Sequence, residues 1–130
     1  MAATIKQLVK RVRATATYGA RLDYDKQSKW QRSAHGWTVR LTYKRRSMTV
    51  DFWTGAAITA EPDAASVLEC LCSDAAGIEN ARGFEDWAAE YGYDTDSREA
   101  EATFRACQRQ TERLRRFLGA DFAAFMGAGW

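Results

Sequence analysis

Residues 37–53, Trp-Thr-Val-Arg-Leu-Thr-Tyr-Lys-Arg-Arg-Ser-Met-Thr-Val-Asp-Phe-Trp, decide the fold. Trp37, Val39, Leu41 and Tyr43 alternate with Thr38, Arg40 and Thr42; then Met48, Val50 and Phe52 alternate with Thr49, Asp51 and Trp53. Strand side chains point to opposite faces with period two, so this is an antiparallel hairpin with one apolar face. Lys44-Arg45-Arg46-Ser47 contains no Asn-Gly or Asp-Gly, which predicts a four-residue loop built on a type I turn.

Working back toward the N-terminus, residues 25–36 are polar and without period, and read as a loop carrying Lys26, Lys29, Trp30, Arg32 and His35. Trp30 either plugs the end of the core or awaits a partner. Ala14, Ala16, Tyr18, Ala20, Leu22 and Tyr24 alternate with mostly polar residues, predicting a third strand over 14–24. Thr4 and Gln7 form a capping-box pair ahead of Ile5, Leu8, Val9 and Val12, predicting a helix over 4–11.

Toward the C-terminus, Pro62 and Asp63 mark a helix start. Ala64, Val67, Leu68, Leu71, Cys72 and Ala75 make an apolar stripe over 62–76, with Gly77 as its end. A further seam, Ala100, Phe104, Cys107, Thr111, Leu114 and Leu118, belongs to a long helix that is either a thin coiled coil or a partner for the helix at 62–76. Gly119 stops or bends it. Phe122, Phe125 and Trp130 form an apolar tail that either folds back on the core or self-associates.

Between these helices lies FEDWAAEYGYDTDSREAE, residues 84–101, with seven carboxylates against Arg98. Phe84, Trp87 and Tyr91 sit at i, i+3 and i+7, so one helical face buries them while Glu85, Asp86 and Glu90 face water. Gly92 ends this helix, and Asp96 with Glu99 predicts a capping box for the next. The expected fold is α+β: a short N-terminal helix, a three-stranded antiparallel sheet within 14–53, and three helices over about 62–126 packed on its apolar face. One domain spans residues 1–130.

The net charge of +2 conceals an asymmetry. Residues 1–65 hold twelve Lys/Arg and five Asp/Glu, or +7; residues 66–130 hold seven and twelve, or −5. No run of about 18 apolar residues is present, and the N-terminus lacks a signal peptide's apolar core, so the expected location is the cytoplasm. Three cysteines argue against a disulfide framework. Cys70 and Cys72 point to opposite sides of a helix and cannot share an ion, and His35 is the single histidine, so no metal site or cofactor is expected. A Cys107–His35 pair has no local support. Residues 94–105 begin like a calcium loop but place Glu99 where glycine is needed and Arg105 where glutamate is needed. No phosphate loop, nucleophile elbow or acid–base pair is found, which argues against an enzyme.

FEDW at 84–87, EYGYDTDSR at 90–98 and the Ala100-Glu101 that follows resemble a signature of small proteins encoded by bacteriophages and prophages. The hairpin WTVRLTYKRRSMTVDFWTG and the segment EPDAASVLECLCSDA stand in the same order as in that family, so the resemblance covers about residues 37–118. It implies a role among phage inhibitors of host defence, with anti-CRISPR activity as the leading instance, in the cytoplasm of an infected bacterium. In that role Glu85, Asp86, Glu90, Asp94 and Asp96 bind a host effector complex, since RNA-guided effectors hold nucleic acid in basic channels. The alternative is a nucleic-acid-binding module using Lys29, Trp30, Arg32, Arg40, Lys44, Arg45 and Arg46.

Overall fold

The structure, a computed structural model, describes residues 4–25, 30–54 and 61–127, with side chains described for 4–19, 36–51 and 61–127. The chain runs α1 (Ile5–Lys10), β1 (Arg13–Asp25), β2 (Trp30–Tyr43), β3 (Arg46–Thr54), α2 (Ala64–Asn80), α3 (Phe84–Glu90), α4 (Arg98–Leu118), a 3-10 turn (Gly119–Asp121) and α5 (Phe122–Met126). The three strands form one antiparallel sheet in the order β1-β2-β3, as the α+β reading requires.

Alternation in the hairpin becomes burial. Val39, Leu41, Tyr43, Met48 and Val50 face the helices and are buried, whereas Arg40, Thr42, Thr49 and Asp51 are exposed on the other face. The buried side meets Leu8 of α1, Val67, Leu68, Leu71, Cys72 and Ala75 of α2, and Leu114, Phe117 and Leu118 of α4. Phe122 and Phe125 of α5 complete this core, so the described part of the tail folds back. Each fully buried aliphatic side chain here contributes about 1.5–3 kcal/mol.

The helix starts follow their caps. Thr4 accepts from Gln7 N and Gln7 Oε1 accepts from Thr4 N, closing the predicted box. Asp63 accepts from Ser66 N at 2.7 Å, and these hydrogen bonds hold its carboxyl below the usual range.

Four expectations need correction. The segment 25–36 is not all loop: β2 begins at Trp30, with Asp25 opposite Trp30, Asp23 opposite Arg32 and Arg21 opposite Ala34. A paired backbone ladder holds this stretch, and hydrophobic period does not register such pairing. The hairpin turn has two residues: Tyr43 still pairs with Arg46, and Lys44 and Arg45 have φ of 47° and 67°. Two successive left-handed residues match the twist of the flanking strands, as a type I turn does not.

Gly77 does not end α2, which runs on to Asn80. The glycine instead admits the Tyr91 hydroxyl, which a Cβ at position 77 would strike. Finally, α4 is capped by Ser97, whose Oγ accepts from Ala100 N at 3.2 Å. Asp96 is spent in a turn: its N–H donates to Asp94 Oδ1 and Ser97 N donates to the Asp94 carbonyl, both at 3.0 Å. Lys26, Lys29, Gly55 and Trp130 lie outside the described residues, as do the side chains of Trp30, Arg32, His35, Phe52 and Trp53.

Candidate functional site: an anionic aromatic surface and a cationic trough

α3 is seven residues long and depends on packing for its place. Its anchor is Trp87, 4% exposed, which with Ala88 and Phe104 forms a second apolar cluster joined by Ile78, Ala81, Phe84 and Cys107. Phe104 of α4 lies 5.3 Å from the Trp87 ring and 5.5 Å from Phe84. At the other end of α3 the chain reverses in a Schellman motif. Tyr93 N donates to Ala88 O at 2.8 Å and Gly92 N to Ala89 O at 3.4 Å, with Gly92 at φ 74°. The reversal lays the Tyr93 ring parallel on Trp87, centroids 5.1 Å apart and planes 7° apart.

Tyr91 departs from its expected place. α3 ends at Glu90, so Tyr91 is the cap and swings out of the apolar stripe. It is 52% exposed, with its ring 5.4 Å from Trp87 and its hydroxyl against Gly77. Tyr93 is 44% exposed. Tyr93 therefore lays one face on a buried tryptophan, Tyr91 meets the same ring at a 44° tilt, and both phenols are open to solvent.

Around them stand the predicted carboxylates. Glu85, Asp86, Glu90, Asp94 and Asp96 are all exposed. Asp86 and Glu90 line a groove of about 450 Å³ between α2 and α3, together with Asn80, Trp87 and Tyr91. None of the five carboxylates makes an ion pair among the described residues. Asp86 accepts from Arg82 N and Asp94 from Asp96 N, each at 3.0 Å. Glu85, Glu90 and Asp96 accept no hydrogen bond among the described residues.

The cations at the hairpin turn behave differently. Lys44 Nζ lies 2.9 Å from Asp121 Oδ2, which also accepts from the Tyr43 hydroxyl at 2.5 Å. Those two donors hold the Asp121 carboxyl below its usual range, while burial and then the Asp121 contact push the Tyr43 phenol up. Arg46 Nε donates to Phe117 O at 2.8 Å, satisfying a carbonyl at the end of α4. Arg45 has no partner among the described residues. The structure thus gives Lys44 and Arg46 structural partners, and sets Arg40 apart on the outer face of the sheet.

A cationic surface that motif reading overlooked lies along α4. Arg105, Arg109, Arg113 and Arg116 recur at i, i+4, i+8 and i+11, a helical period visible in the sequence. Arg105 is paired with Glu101 at 2.7 Å, and Arg113 donates to Thr49 O at 2.6 Å on the open edge of β3. Arg113, Arg116 and Arg46 line a trough of about 320 Å³ beside Met48 and Phe117.

Among the described residues the cysteines stand apart from both surfaces. Cys72 is buried and its thiol is pushed up to about 11 by that burial; Cys107 is also raised, by burial and then by Asp74. Cys70, two residues from Cys72, is exposed, as their opposed directions on α2 require. Among the described residues no three His, Cys, Asp or Glu side chains gather to hold a metal ion, and no helix is long and apolar enough to cross a membrane. No protein-family model matches the chain, and neither a curated protein nor a solved structure is significantly similar to it.

Proposed function

We propose that this protein is a non-enzymatic inhibitor of bacterial defence that binds a host effector complex through its anionic aromatic surface, with anti-CRISPR activity as the specific form. The observation that carries the reading is the set of five exposed carboxylates that make no ion pair among the described residues, on the stretch that bears two half-exposed tyrosines against Trp87. Asp86 and Asp94 hold backbone N–H groups and Glu85 and Asp86 lie in the first turn of α3, but the five carboxylates repel one another, and such a surface is suited to a basic partner. Tyrosines backed by a rigid ring supply contact area at small entropic cost. The resemblance to phage-encoded proteins adds the class of partner. An RNA-guided effector offers a positively charged channel that a rigid anionic surface can occupy.

The test uses the three carboxylates that accept no hydrogen bond among the described residues. In a bacterium with an active RNA-guided defence, expression of the wild-type protein should restore plaquing by a targeted phage. Glu85→Lys, Glu90→Lys and Asp96→Lys together should abolish that rescue while the melting temperature stays within a few degrees of wild type. A triple variant that rescues as well as wild type sinks the reading, as does a wild-type protein without effect.

A further inference from the structure

We propose that the trough between the start of β3 and the C-terminal half of α4 binds the phosphate backbone of a nucleic acid. This inference stands apart from the defence-inhibitor reading, since no residue of the anionic surface lines the trough.

Arg113 and Arg116 line both the pocket beside Arg46 and a neighbouring groove of about 690 Å³ on the other side of α4. Arg109 and Arg115 line that second groove. The two carboxylates there, Glu79 and Glu112, both pair with Arg115. Among the described residues Arg46, Arg109, Arg113 and Arg116 make no ion pair.

Two of these four are oriented by backbone carbonyls, Arg46 by Phe117 O and Arg113 by Thr49 O. Each guanidinium has five N–H donors, so most of each fork remains unbonded after that contact. The other two, Arg109 and Arg116, make no hydrogen bond among the described residues. From Arg109 to Arg116 the helix rises about 10 Å, at 1.5 Å per residue. Arg113 and Arg116 border both grooves and Arg109 only the second, so the array is a row along the ridge between the two grooves rather than a point.

Planar guanidiniums in a row, two of them braced, suit the oxygens of successive phosphates, which accept paired N–H donors. A carboxylate-bearing protein segment offers planar acceptors too, but only an unbroken acidic tract carries a charge at every repeat of its backbone. Nothing in the trough presents an aromatic face for base stacking apart from Phe117, which is buried. Recognition would thus be of the backbone and independent of sequence.

The test is fluorescence anisotropy of the full chain with a labelled DNA duplex of about two helical turns, between about 50 and 200 mM salt. Four phosphate contacts predict a log K against log salt slope of about −3 to −4. Arg109→Gln with Arg116→Gln should make that slope shallower by about 2 and weaken binding at about 100 mM salt about 10-fold or more. The charge-matched pair Lys6→Gln with Arg13→Gln, on exposed positions of α1 and β1, should bind within about twofold of wild type. Absence of saturable binding by wild type at low salt overturns the proposal. So do equal losses from the two pairs, or displacement of the duplex by poly-glutamate as readily as by unlabelled DNA.

Discussion

The cationic turn at 44–46 and the anionic stretch at 85–96 look alike as runs of charge, yet the fold uses them in opposite ways. At the turn, Lys44 reaches Asp121 and Arg46 reaches the end of α4, so two of three charges tie the hairpin to the C-terminal helices. In the anionic stretch no carboxylate makes an ion pair among the described residues, and position is set instead by Trp87, Phe104 and Tyr93. The difference teaches that a charge run is assigned by what its members bond to. A cation paired with a carboxylate, as Lys44 is, belongs to stability, whereas charges that make no ion pair among the described residues remain available to a partner.

The largest effect expected from this contrast is at Trp87. Trp87→Ala should cost about 3–5 kcal/mol, the usual penalty for emptying a buried aromatic site. Denaturant unfolding measures it, with Leu41→Ala, at about 2–5 kcal/mol, as the reference for the main core. If Trp87→Ala costs below about 1 kcal/mol, α3 is not held by its aromatic anchor and the contrast with the turn collapses.

The sequence showed the main core well because Val39, Leu41 and Tyr43 keep period two and Val67, Leu68 and Leu71 keep the helical period, and burial follows period. It was silent where geometry comes from something else. The pairing of Asp23 with Arg32 positions belongs to a backbone ladder, and the outward turn of Tyr91 follows from where α3 stops. The carboxylates of the candidate site were legible as a run, but which of them already hold backbone N–H groups was not. The arginine row on α4 was present in the letters. In sequence the same residues read as the wet side of an amphipathic helix, and only the approach of β3 turns that side into a trough.

A smaller effect tests the turn itself. Asp121→Ala removes the acceptor of both Tyr43 and Lys44, leaving a buried tyrosine hydroxyl unsatisfied, and should cost about 1–3 kcal/mol. Asp121 is partly open to solvent, with its side chain 26% exposed, so the lower half of that range is expected. Its carboxyl is held below the ordinary value of 3.8, first by the Tyr43 hydroxyl and then by Lys44. The stabilisation is therefore complete above that value and is lost as pH falls below it. Unfolding measured across this window should show wild type losing stability faster than the variant. Parallel losses would show that the turn's charges, like those of the anionic stretch, do not serve the fold.

The smallest effect lies one residue away, at Arg45. Lys44 and Arg45 both occupy left-handed backbone, at φ 47° and 67°, a region that costs an L-residue about 1–2 kcal/mol. Lys44 recovers part of that cost through Asp121; Arg45 has no partner that does so among the described residues. Arg45→Gly removes the strain, at an entropic cost of about 0.4–1 kcal/mol from the looser unfolded chain, for a net gain of about 0.5 kcal/mol. Lys44→Gly relieves similar strain but forfeits the Asp121 contact, so it should gain nothing. Thermal unfolding of the two variants side by side separates a turn with one structural cation from a turn with two. A rise for Lys44→Gly equal to that for Arg45→Gly would mean that the contact with Asp121 contributes no stability, and the distinction between tied and untied charges would fail at its most local point.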